Sequence, residues 1–122
     1  MTSRFRDWGV AVAFVLVLCA APAAARADVV LDWNAIAVRT LITQPAPGVN
    51  PFAQARFMAI TQLAVFEAVN AIQGGYEPYL GTIAPAPDAS AEAAAIAAAH
   101  RVLVTYFSSA SNVATLDAER PR

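Results

Sequence analysis

Between Pro51 and Gln73, Phe57, Ile60, Ala64, Ala68 and Ala71 recur at three- and four-residue steps, and Met58, Val65, Val69 and Ile72 mark a neighbouring stripe. This is the period of an α-helix, and the two stripes cover most of its circumference, so the pattern predicts a buried helix surrounded by others. Both ends are marked. Asn50 offers a capping oxygen, Pro51 suits a first turn whose N–H would have no partner, and Gly74-Gly75 stops the helix. At 1.5 Å per residue such a helix is about 34 Å long. Its polar exceptions Arg56, Glu67 and Asn70 lie 11 and 3 residues apart, close to one line on the helix, and predict a polar seam that fixes helix register. With Gln54 and Gln62 they also argue against a membrane span, which calls for about 20 predominantly apolar residues.

The flanking segments read as shorter helices. Asp28-Val29-Val30-Leu31 is an extended lead-in, and Asp32 caps a helix from Trp33 to about Thr43 with Trp33, Ala37 and Leu41 on one side. Gln44-Pro45-Ala46-Pro47-Gly48 ends it, since proline disfavours helix in the residue before it and has no N–H to donate. After the central helix, residues 74–89 are rich in glycine and proline, a loop whose Tyr76, Tyr79 and Leu80 are expected to pack down onto the helices. Ser90 caps a third helix from Ala91 to about Phe107, with Glu92 in its first turn and Ile96, His100, Leu103 and Phe107 facing the core. A serine-rich turn, Ser108 to Asn112, breaks it, and Val113 to Glu119 begins a fourth. The fold class is therefore all-α: three main helices plus the start of a fourth, an incomplete helical bundle.

The first residues change this picture. Arg4 and Arg6 precede an apolar run from Gly9 to Ala21, followed by Pro22 and the small-residue pattern Ala25-Arg26-Ala27. This is the layout of a secretory signal peptide, with cleavage expected after Ala27 and export to the periplasm or beyond. The chain so divides into a signal peptide, 1–27, and a helical part, 28–122. Leu18 before Cys19 is not the small residue that a lipoprotein site requires, so no lipid anchor is expected. Cleavage removes Cys19, the sole cysteine, and with it any disulfide or cysteine metal site. The remaining part carries five arginines, no lysine and eight acidic residues, a formal charge of −3 that gives no footprint for nucleic acid.

Chemistry is sparse. His100 is the sole histidine, sits on an apolar stripe, and reads as a core residue with one hydrogen bond. Glu67, Glu77 and Asp88 are not spaced as a carboxylate pair, Gly74-Gly75 ends a helix instead of opening one on a phosphate, and no serine sits in a nucleophile elbow. No catalytic, cofactor-binding or metal-ligating residue is assigned.

Four stretches in order, Asp32-Trp33-Asn34, then Leu63-Ala64-Val65-Phe66-Glu67-Ala68-Val69-Asn70-Ala71-Ile72, then Tyr76-Glu77-Pro78-Tyr79, then Ala97-Ala98-Ala99-His100-Arg101-Val102-Leu103, resemble the N-terminal helices of bacterial vanadium-dependent haloperoxidase-like proteins. These belong to the type 2 phosphatidic acid phosphatase and haloperoxidase superfamily. Where such proteins often carry Tyr-Asp before Ala-Val-Asn, this chain has Phe66-Glu67. The resemblance implies a helical bundle whose vanadate or phosphate is held by a Lys with an Arg-Pro, a Ser-Gly-His, and an Arg with a His. None of these carries over: the chain has no lysine and no Ser-Gly-His, and Arg120-Pro121 matches by letters alone. Vanadate is implied for a full-length relative only.

Two functional expectations follow. One is an exported N-terminal scaffold fragment of a haloperoxidase-like protein, shortened by a frameshift, an early stop or a misplaced gene end, and inactive alone. The other is a stand-alone small exported helical protein that self-associates or binds a helical partner through exposed apolar faces, with no nucleic acid and no stable membrane span.

Overall fold

A computed structural model describes residues 28–44, 50–81, 83–84 and 86–120. The expected signal peptide, the proline loop after Gln44 and the Arg120-Pro121 pair lie wholly or partly outside the described residues. Four helices follow one another: α1 Val29–Thr43, α2 Pro51–Gln73, α3 Ala91–Tyr106 and α4 Ala110–Ala118. The class is all-α, and no strand occurs among the described residues.

Each helix opens on a side-chain oxygen that takes an amide of its first turn. Asp28 Oδ1 accepts from Val30 N at 2.9 Å, Asn50 Oδ1 from Ala53 N at 2.9 Å, Ser90 Oγ from Ala93 N at 3.2 Å and Ser109 Oγ from Asn112 N at 3.3 Å. Two of these starts differ from expectation. Residues 29–31 are helical, not extended: Asp28 is the cap, and Asp32 becomes an acid in the first turn, where the helix dipole favours it. At the other end, Ser109 starts α4 at Ala110, three residues ahead of the expected Val113. The bounds of α2 and α3 agree with the sequence reading to within one residue.

The core lies where α1, α2 and α3 meet, and the α2–α3 pair forms its largest interface. Trp33, Ile36, Ala37 and Leu41 from α1 meet Val65 from α2 and Ala95, Ala99 and Leu103 from α3, with Phe107 and Leu116 closing the far end. Ala95 and Ala99 let helix backbones approach closely, and Phe57 stacks edge-on against Phe107 at 5.5 Å.

α2 is not the enclosed rod that its sequence predicts. Only Thr61, Val65, Glu67 and Asn70 on it are buried. Among the described residues α1 and α3 are the helices packed most extensively against it, and part of its apolar circumference meets solvent. By length and composition it is long and apolar enough to cross a bilayer, with a mean hydropathy of 1.2.

Candidate functional site: a loop clamp on the last turns of the central helix

The expected seam of Arg56, Glu67 and Asn70 divides in the structure. Arg56 is exposed. Glu67, 3% exposed, and Asn70 are buried and turn to the same target, the backbone of the loop that follows their own helix. Glu67 Oε1 accepts the N–H of Tyr79 and, at 3.2 Å, that of Leu80. Asn70 donates from Nδ2 to Tyr76 O at 2.9 Å and accepts from Tyr76 N at Oδ1 at 3.2 Å. The seam fixes a loop, not a register between helices.

The chain reverses here because glycine allows it. Gly74 and Gly75 have φ of 67° and 94°, in the left-handed region that side chains disfavour. Gly74 N donates to Asn70 O at 2.8 Å, closing the helix, and further on Ala86 N donates to Ala71 O at 2.8 Å. Tyr76, Tyr79, Leu80 and Ala86 are thus all bonded back to the helix that the chain has just left.

This geometry corrects the expectation for the loop side chains. Tyr76 and Tyr79 are 74% and 71% exposed, and Leu80 is exposed as well. Glu67 and Asn70 draw the loop's amides inward, and the side chains of the same residues point out. The Tyr76 ring lies against that of Phe66, with centroids 6.1 Å apart. Beside the loop, Ile60, Leu63, Ala64 and Ala68 of α2 line an almost wholly apolar groove of about 360 Å³, walled by Leu80 and Ile83.

The His100 side chain is 13% exposed, at the edge of the core. Its Nε2 lies 2.7 Å from Asp117 Oδ1, and its ring meets the edge of Trp33 at 6.0 Å, so one side chain joins α3 to α4 and α1. Arg39 Nη2 reaches Glu119 Oε1 at 2.8 Å, tying α1 to the end of α4. Among the described residues no three of His, Cys, Asp and Glu converge as metal ligands.

Sequence reasoning missed two structural polar residues. Asn112, read as part of a serine-rich turn, is buried and donates to Phe107 O at 2.6 Å, holding the α3–α4 corner. Gln62 donates to Asn34 Oδ1 at 2.7 Å across α1 and α2. An asparagine four residues behind Ser108 was the available signal for the first; nothing in the spacing marks the second.

No family model, no curated protein and no solved structure matches the chain.

Proposed function

We propose that the chain is an exported helical scaffold of the haloperoxidase-like kind, which carries loops and packing surfaces and has no oxyanion chemistry of its own. The fate of Glu67 carries this reading. One stretch of the resemblance, Leu63 to Ile72, contains the two side chains spent on the 74–80 loop, Glu67 and Asn70. A buried carboxylate committed to backbone amides repels an oxyanion instead of binding it. Partners of such a scaffold are other helices, with no nucleic acid and no stable membrane span.

The purified chain is to be assayed for vanadate-dependent bromide oxidation and for phosphate-ester hydrolysis. Both are expected to read background; turnover above the buffer blank overturns the proposal. Export is tested separately by N-terminal sequencing of the secreted chain, expected to begin at Asp28, while a start at Met1 refutes cleavage.

The second reading, a self-sufficient interaction protein, draws on the groove along α2 and the bare face of α1 described below. A sharp, cooperative thermal transition favours it; aggregation or a broad melt favours a scaffold that lacks its covering helices.

A further inference from the structure

We infer that α1 pairs with α1 of a second copy of this chain, antiparallel and across a two-fold axis. The inference goes beyond the scaffold reading and is independent of any enzymatic ancestry. α1 is apolar on two opposite faces. Trp33, Ile36, Ala37 and Leu41 point into the core. Leu31, Ala35, Val38 and Ile42 point out, with Leu31, Val38 and Ile42 at 67%, 42% and 64% exposed. At 3.6 residues per turn these four positions fall within about 60° of one another, roughly opposite the inward face. Their spacing of four, three and four is the seam that one helix offers another in a coiled coil.

The occupant follows from the charges beside that seam. Asp32 and Arg39 are both exposed, seven residues apart, along one edge of the stripe. In an antiparallel pair that sets Leu31 opposite Ile42 and Ala35 opposite Val38 of the other copy, each Asp32 faces the other copy's Arg39. Opposite charges meet twice by symmetry, and the two helix dipoles lie side by side in opposite directions. Parallel pairing brings the acidic first turns of both helices together instead. The Arg39 guanidinium already holds Glu119 at 2.8 Å, but its side chain is 56% exposed and it has further N–H groups to give. A single helix pair lies at the small end of specific interfaces, so the dimer is weak and concentration-dependent.

The test is sedimentation equilibrium of the purified chain, with far-UV circular dichroism as the check on folding. A monomer–dimer equilibrium is expected. Val38→Glu, at an exposed position, should leave the helix signal intact and weaken association by roughly tenfold or more. Asp32→Arg and Arg39→Asp should each weaken it, and the double variant, which restores both cross-copy pairs, should recover it to within a few-fold. Three results overturn the inference: a monomer up to about 1 mM, the weak limit of measurable affinity; association indifferent to Val38→Glu; or a double variant no tighter than the single ones. A strict monomer would assign the stripe to a helix of a different protein.

Discussion

Asn70 grips Tyr76 by both groups of its peptide backbone, giving a hydrogen bond to its carbonyl and taking one from its amide. A side-chain amide can do both at once, so Asn70 holds in place the reversal that Gly74 and Gly75 permit. The pair predicts an asymmetry between two substitutions. Asn70→Asp keeps the acceptor for Tyr76 N but sets a negative charge against Tyr76 O near Glu67, whereas Asn70→Ala only removes the partners. Leaving a buried group unsatisfied costs about 1–3 kcal/mol, and Asn70→Asp is expected to lose more stability than Asn70→Ala in denaturant unfolding.

Glu67→Gln and Glu67→Ala separate charge from hydrogen bonding. Both loop amides are held by one oxygen, and glutamine retains an oxygen there, so Glu67→Gln should lose about 1 kcal/mol or less, the difference between a charged and a neutral acceptor. Glu67→Ala strands two amides and should lose about 2–4 kcal/mol, on the order of 1–3 kcal/mol for each stranded group less the local relaxation. Chemical denaturation of both variants measures the split.

The close helix approach in the core gives a prediction of opposite steric sense at two sites. Leu103 and Ala99 are both fully buried. Leu103→Ala opens a cavity and should cost about 2–5 kcal/mol; Ala99→Leu forces volume into a closed contact and should cost about 1–3 kcal/mol. Thermal melts are to be compared, each kcal/mol being worth roughly 4–8 °C in a domain of this size.

At the α3–α4 corner, Asn112→Ala leaves Phe107 O without its donor. A loss of about 1–3 kcal/mol is expected. The His100–Asp117 pair, with Asp117 largely exposed, should contribute no more than about 1 kcal/mol to the same corner. Asn112→Ala and Asp117→Ala in the same unfolding assay rank the two.

What was legible in the sequence was local. Asn50 with Pro51, Gly74 with Gly75, and Ser90 each act on neighbouring backbone, so α2 and the start of α3 were readable. The start of α1 was not, because Asp28 and Asp32 are both competent caps and the β-branched Val29-Val30 reads as extended; half-burial of those valines against the core carries the helix back to Asp28. The burial of α2 was overestimated because periodicity states which faces are apolar and not whether anything covers them. Arg56, Glu67 and Asn70 share a line on the helix, yet their roles depend on where residues 74–80 return. That is set by a chain reversal which leaves no periodic trace. The outward turn of Tyr76 and Tyr79 follows from the same reversal.

The central claim is that the buried polar residues of α2 act on their own chain, and amide hydrogen exchange read at single residues tests it most directly. In the wild-type protein the amides of Tyr76, Tyr79 and Leu80 should be protected although their side chains are in solvent, and Glu67→Ala should release Tyr79 and Leu80 while the α3 amides keep their protection. Rapid exchange at all three positions in the wild type, or protection unchanged by Glu67→Ala, would contradict the clamp and reopen Glu67 and Asn70 as groups held ready for a ligand.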